Sequence, residues 1–118
     1  SLLKHCRESK IPIITGASTA NEAYNAWKLG VSVTKIFPAA AMGGPEYIKD
    51  ILKPMPFLNI MPTSGVQIND FVDYLKAGAV AVGMGHALYE DENSYAAITK
   101  NAQKVSKILK DYIDSQQQ

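Results

Sequence analysis

The chain has 118 residues, of which 47% are apolar and 19% charged, and its formal net charge is +1. This length suits one domain, and the composition is typical of a globular protein rather than a disordered one. The evenly interspersed charges argue against a nucleic-acid-binding surface, and no apolar window is long enough to span a membrane. A single cysteine, Cys6, excludes an internal disulfide and fits a reducing cytoplasm.

The first elements alternate between helix and strand. Residues 2–10 predict a helix, and the apolar run at 11–15 predicts the first strand. Thr19, with Glu22 three residues later, predicts a capping box at the start of the next helix. Gly30 is a good stop for that helix.

The same alternation continues in the middle of the chain. The run "VSVTKIF" at 31–37 predicts the second strand, and it leads into a Pro-Gly-Gly loop. Gly44 and Pro45 suit a helix N-terminus, because proline is favoured in the first helical turn. The third strand is predicted at 57–63.

The last elements repeat this order. Apolar residues at helical spacing predict a helix from Ile68 to a stop at Gly78. The run "AVAVG" at 79–83 predicts the fourth strand, and the periodicity predicts a final helix from about Glu92 to Tyr112.

Four successive strand–helix units predict an α/β fold with parallel strands and right-handed crossovers. A closed (β/α)₈ TIM barrel needs eight units and about 250 residues. The chain is therefore either a small open sheet or half of a barrel, and residues 1–118 form one segment in both cases. Because the chain starts with Ser1 rather than methionine, we expect a piece of a longer protein. Pairing of two copies is a further hypothesis, since it would cover the two open sheet edges.

A lysine in the second strand is the first candidate for chemistry. Strand side chains alternate, so Val33, Lys35 and Phe37 share one face, while Thr34 and Ile36 share the other. We place Lys35 on the barrel-interior face, near the strand's C-terminal end, where barrels keep their active sites. A desolvated lysine is a nucleophile that can condense with a ketone. The alternative is that Lys35 reaches past the strand end and only solvates it.

Two glycine-containing turns follow the third and fourth strands. They are "PTSGVQ" at 62–67 and "GMGH" at 83–86. Exposed backbone N–H groups at such strand ends favour anions, and the last two loops of (β/α)₈ barrels often bind phosphate. His86 adds a hydrogen-bond donor. The alternative is that these glycines only permit tight turns, and that His86 is a loop residue.

The reaction suggested by Lys35 also needs a general acid or base. None of the eleven acidic residues falls on a predicted strand, and Glu22 reads as a helix cap. We therefore expect the base to come from a part of the protein outside this chain. The other carboxylates lie on helices or near the last one, among them Glu46, Asp50, Asp70, Asp73, Glu90, Asp91 and Glu92.

The motif "KIFPAAAMG" at 35–43 resembles the Schiff-base lysine signature of the 2-keto-3-deoxy-6-phosphogluconate (KDPG) and 4-hydroxy-2-oxoglutarate aldolases. Three more segments resemble the same family in matching order, so the resemblance covers residues 11–90. They are "PIITGAST", "MPTSGV" and "VGMGHAL".

The resemblance implies a cytoplasmic class I aldolase that cleaves KDPG to pyruvate and glyceraldehyde 3-phosphate. It also implies the second half of a (β/α)₈ barrel, usually a trimer, with no metal or cofactor. Lys35 would form the imine, Phe37 would pack near it, and Thr63 would lie by the pyruvyl carboxylate. The residues that would fall where the family binds phosphate are Ser64, Gly65, Gly85 and His86.

The chain departs from the family at several places. Family members often have glycine where Ser64 stands, serine where His86 stands, and glutamate where Ala40 stands. The family's catalytic glutamate and carboxylate-binding arginine belong to the first half of the barrel. A non-catalytic phosphate-binding half-barrel or assembly fragment is therefore the alternative function. A phosphosugar isomerase or epimerase is disfavoured, because its carboxylate or metal bases have no counterpart at these strand ends.

Overall fold

The fold is built on a three-stranded parallel sheet. The structure, a computed structural model, describes residues 1–89 and 94–117. The strands are β1 (Ile14–Ala17), β2 (Val33–Ile36) and β3 (Ile60–Pro62), in the order β1-β2-β3. In register, Gly16 lies opposite Lys35, and Lys35 lies opposite Met61. The helices are α1 (Leu2–Glu8), α2 (Ala20–Lys28), α3 (Ala39–Met42), α4 (Gly44–Leu52), α5 (Phe71–Lys76), α6 (His86–Tyr89) and α7 (Tyr95–Gln116).

Local signals set both ends of α2 as the sequence predicts, whereas α5 begins at Phe71 rather than Ile68 and α7 continues past Tyr112 to Gln116. Thr19 caps α2, with the Glu22 N–H donating to its side chain and the Glu22 carboxylate accepting from the Thr19 N–H. Gly30 follows α2 with a φ of 84°, and its N–H donates to the Trp27 carbonyl at 2.9 Å. The next N–H, of Val31, reaches the Ala26 carbonyl at 3.1 Å, which completes a Schellman motif.

The predicted helix start at Glu92 lies outside the described residues, and α7 is described from Tyr95 onward. None of the described helices combines the length and apolar character needed to cross a bilayer. Cys6 is a free thiol buried on α1.

The first and third strands begin later than predicted. Residue 11 lies in the turn that closes α1, because the Ile11 N–H donates back to the Cys6 carbonyl at 2.8 Å. Pro12 has no N–H for a ladder. Residues 55–58 form a turn in which the Leu58 N–H donates to the Met55 carbonyl at 3.1 Å. Regular strand pairing begins only after these turns, although the carbonyls of Ile13 and Asn59 already accept the N–H groups of Ser32 and Thr34.

The predicted fourth strand at 79–83 is wrong as a regular strand. Val80 donates to the Ile60 carbonyl at 3.0 Å, and Gly83 donates to the Pro62 carbonyl at 2.8 Å. The donors are three residues apart while the acceptors are two apart, so this segment carries one extra residue against β3. A bulge of this kind interrupts the ladder, and one isolated parallel bridge, Thr63–Gly83, is left.

The two faces of the sheet differ in burial. The helix-side face carries Thr34 and Ile36, which are 3% and 0% exposed, as the predicted alternation requires. On the other face Lys35 and Met61 are half-buried, and Ile14 is 54% exposed. The described residues thus cover one face with helices and leave the Lys35 face open. The buried core includes Ala17, Ile36, Ile48, Ile60, Phe71 and Tyr74.

Candidate functional site

Lys35 is held at the middle of the sheet. Its strand is paired on both sides, with Gly16 of β1 and Met61 of β3 as its direct neighbours. The prediction that Lys35 shares a face with Val33 and points away from the helices is confirmed by the burial pattern of β2. The described residues alone do not enclose the amine in a dry interior, because Lys35 is half-buried. Among them, no carboxylate forms an ion pair with it.

Lys35 lines a cavity of about 320 Å³ at the carboxyl end of β1 and β2, which we call the lysine cavity. This end of a parallel sheet is where α/β proteins place their ligands. Its walls come from two adjacent strand ends and the first turn of α2. The lining residues are Gly16, Ala17, Ser18, Glu22, Lys35 and Phe37.

Glu22 changes one prediction. The sequence assigns it to the helix cap and leaves Lys35 without a carboxylate nearby. The cap is confirmed, with Glu22 Oε1 accepting from the Thr19 N–H at 3.2 Å and from the Thr19 hydroxyl at 2.9 Å. Glu22 is also one of the residues that line the lysine cavity. A residue that carries a carboxylate therefore borders the same cavity as Lys35, and the helix cap fixes the orientation of that carboxylate.

The glycine turns form a second cavity, of about 390 Å³, which we call the glycine-turn cavity. It brings together every residue that the family resemblance assigns to substrate, apart from Lys35. Phe37, which is 52% exposed, lines both cavities and therefore lies beside both the lysine and the glycine turns. The lining residues are Phe37, Thr63, Ser64, Gly65, Val66, Gln67, Gly83, Gly85, His86 and Ala87.

The turn after β3 has an unusual backbone. Ser64 and Gly65 both adopt left-handed conformations, with φ of 75° and 76°. The carbonyls of Thr63 and Ser64 accept the N–H groups of Ala39 and Ala40, at 2.9 and 3.2 Å. These two hydrogen bonds hold the turn against α3. The sequence analysis did not predict α3. The strand-lysine signature that ends in "AAAM" could have indicated it, since alanine has the highest helix propensity.

Phe37 is anchored through its backbone. Its N–H donates to the Ala17 carbonyl at 3.0 Å, and its carbonyl accepts the Ser18 hydroxyl at 2.7 Å. The Tyr47 hydroxyl donates to the Ser18 carbonyl at 2.7 Å, which ties α4 to the same point. The peptide bond between Phe37 and Pro38 is cis. Ser18 and Tyr47 thus position the backbone of Phe37, the residue that lines both cavities, and sequence reasoning assigned no such role to either.

His86 is the first residue of α6 and is exposed at the rim of the glycine-turn cavity. Its ring meets the Tyr89 ring edge-on, with the centroids 5.3 Å apart. Within residues 1–89 and 94–117, no group of three or more His, Cys, Asp or Glu could hold a metal ion. The residues that line the two cavities include one amine, that of Lys35, one carboxylate, that of Glu22, and the backbone of the glycine turns.

Comparison with known proteins identifies the family of the chain. The family model described as "KDPG and KHG aldolase" matches residues 1–108. The chain belongs to this aldolase family. It is 36% identical over 74 residues to the 2-dehydro-3-deoxy-phosphogluconate aldolase of Pseudomonas aeruginosa, covering 63% of this chain and 34% of that protein. It is 30% identical over 106 residues to the 2-dehydro-3-deoxy-6-phosphogalactonate aldolase of Escherichia coli K12, covering 89% and 50%.

The fold agrees with that of solved aldolases. The structure described as native KDPGal superposes with a TM-score of 0.83 at 25% identity, over 96% of this chain and 55% of that one. The prediction of a KDPG-type aldolase family is confirmed, and so is an α/β fold with parallel strands. The chain spans only between about a third and a half of the length of the curated relatives it matches.

Proposed function

We propose that this chain is the lysine-bearing half of a class I aldolase that cleaves KDPG or a related 2-keto acid to pyruvate and an aldehyde. The family membership supports an aldolase reaction on a keto acid. The observation that carries the proposal is the placement of Lys35, on the open sheet face in one cavity, next to a second cavity that the glycine turns line.

In the proposed reaction, the neutral amine of Lys35 attacks the keto carbon, and the carbonyl oxygen leaves as water after proton transfer. The resulting iminium accepts the electron pair of the bond between the α and β carbons as that bond breaks, which leaves an enamine on Lys35. A base removes the proton of the neighbouring hydroxyl, which becomes the aldehyde oxygen. Protonation of the enamine and hydrolysis then release pyruvate and restore the amine.

The glycine-turn cavity supports binding of the phosphorylated end of the substrate. Thr63 and Ser64 offer hydroxyl groups, and the turns supply backbone N–H groups beside Gly65 and Gly85. His86 at the rim would add a further donor. We assign Phe37 to packing between the imine and the phosphate, since it lines both cavities.

The remaining parts of the proposal concern the whole protein. The exposed apolar side chains on the Lys35 face, such as Ile14, support a half-barrel whose missing half would cover them. A general base from that half, a homotrimeric assembly and a cytoplasmic location follow from the family resemblance and belong to the same proposal.

Trapping with pyruvate and borohydride tests the proposal. The reductant converts an iminium at Lys35 to a stable secondary amine, which intact mass detects and peptide mapping locates. We expect one adduct on Lys35, none in Lys35→Met, and an unchanged adduct in Lys49→Gln, since Lys49 is a surface lysine on α4. A folded wild-type chain that gives no adduct would refute the aldolase assignment.

A non-catalytic phosphate-binding half-barrel is the second candidate. The glycine-turn cavity favours it, because that cavity is complete without Lys35. Titration with glyceraldehyde 3-phosphate, followed by NMR of backbone amides, separates the two functions. Shifts at Gly65 and Gly85 together with no pyruvate adduct would support this candidate over the aldolase.

A further inference from the structure

Gly16 is a glycine that the backbone does not need. It lies inside β1, and its φ falls outside the left-handed region that favours glycine. The pairing of β1 with β2 runs without interruption from Ile14 to Ala17, so no bulge occurs at this position. Glycine in a strand interior weakens the strand, so Gly16 lowers the stability of the fold although its backbone conformation does not require glycine.

The space above Gly16 is open. A Cβ built there would meet no heavy atom of a described residue within 4 Å. Gly16 is the direct cross-strand neighbour of Lys35, and both line the lysine cavity. A larger residue would therefore project into the space beside the lysine side chain. Apart from bulges and bends, glycine inside a strand marks a place where a ligand or another backbone comes close.

We propose that Gly16 determines the size of the keto acid that Lys35 accepts, because its missing side chain leaves room for the group attached to the imine carbon. This inference rests on the proposed function. It adds that β1, and not only the lysine strand and the glycine turns, shapes the substrate site. Gly16 acts by steric exclusion and donates no chemical group.

The test compares Gly16→Ala and Gly16→Val with the wild type in the pyruvate–borohydride trapping reaction, repeated with the longer 2-ketobutyrate. A misfit of about one methylene changes discrimination by roughly 10–200-fold. We expect Gly16→Val to slow adduct formation at Lys35 with pyruvate by about tenfold or more. Gly16→Ala should slow 2-ketobutyrate more than pyruvate.

Two controls separate exclusion from damage to the amine or the fold. Reductive methylation with formaldehyde reports the reactivity of Lys35 with an electrophile too small to be excluded, and its rate should stay unchanged. Ile14→Phe enlarges an exposed residue of the same strand outside the lysine cavity, and it should leave trapping unchanged. Because alanine and valine suit a strand better than glycine, the thermal unfolding temperature of both Gly16 variants should hold or rise.

The outcomes are distinct. A wild-type chain without an adduct overturns the proposed function and this inference with it. Equal trapping rates in wild type and Gly16→Val, with a normal wild-type adduct, overturn this inference alone. A lowered unfolding temperature in Gly16→Val would also overturn it, since polypeptide rather than substrate would then occupy the space. Slower trapping in a variant that is at least as stable supports it.

Discussion

Replacing Gly65 by alanine should distort the turn between β3 and α5. Gly65 has a φ of 76°, and a Cβ there would overlap the Cβ of Ala40 on α3. The left-handed conformation costs a non-glycine residue about 1–2 kcal/mol. Crowding against a packed neighbour typically costs about 1–3 kcal/mol more. We therefore expect Gly65→Ala to lower the free energy of unfolding by roughly 2–5 kcal/mol.

The contact with Ala40 allows the two costs to be measured separately. Ala40→Gly alone should cost about 1 kcal/mol, since glycine is a poorer helix former. In the double variant the overlap disappears while the backbone strain remains, so the two substitutions should couple by about 1–3 kcal/mol in the favourable direction. Urea unfolding, followed by circular dichroism, gives all four free energies.

Gly85→Ala is the matched control for this cycle. Gly85 has no positive φ, and a Cβ there meets no described atom within 4 Å, so the change should stay within about 0.5 kcal/mol. If the changes in unfolding free energy for Gly65→Ala and Ala40→Gly added strictly, the reasoning would be refuted, because a Cβ at position 65 would then not contact α3.

Three further outcomes follow from the structure. Ser64→Gly should raise the free energy of unfolding, measured by urea titration, by roughly 0.5–1 kcal/mol. Relief of the left-handed strain at Ser64 gains about 1–2 kcal/mol, which exceeds the cost of about 0.4–1 kcal/mol for the added entropy of the unfolded chain. A loss of stability would contradict this. Thr19→Ala should cost about 1 kcal/mol by removing the cap on α2, while the conservative Thr19→Ser should keep most of it; equal costs for the two would contradict the capping role. Burial, reinforced by the nearby Asp70 carboxylate, raises the pKa of Tyr74 above its usual 10.0. The unfolded chain then loses the phenol proton first, so this contribution to stability is complete below pH 10 and falls as the pH rises above it. Unfolding measured from neutral to strongly alkaline pH should show a shallower fall in Tyr74→Phe than in wild type, and identical slopes would contradict the assignment.

The boundaries of α2 could be predicted because their signals are local. The Thr19–Glu22 capping box and the stop at Gly30 each depend on residues within one or two turns of the chain. The fourth strand could not be predicted correctly, because its regularity depends on pairing with β3. The extra residue between Val80 and Gly83 becomes visible only when the two backbones are placed side by side.

The candidate site also contains residues whose place could be predicted from the sequence and one, Glu22, whose place could not. Alternation along a strand is enough to place Lys35 on the open face, and Phe37 lines the same cavity. The residues of the glycine turns follow from strand ends that meet at one edge of the sheet, and the structure gathers them in one cavity. Glu22 was read only as a cap, since its distance from Lys35 in space depends on the path of the chain after β1.

The extra residue in the segment at 79–83, which pairs with β3, also determines which way the end of this segment faces. Ala79 is buried and Val80 is exposed, yet Val82 and Met84 pack on the core, so the alternation changes parity between Val80 and Val82. Gly83 consequently turns toward the Thr63 side chain, with a built Cβ only 3.0 Å from its Oγ1. The number of residues between Val80 and Gly83, more than the identity of their side chains, therefore brings Gly83 to the glycine-turn cavity. Shortening this segment by one residue would reverse the direction in which its end faces.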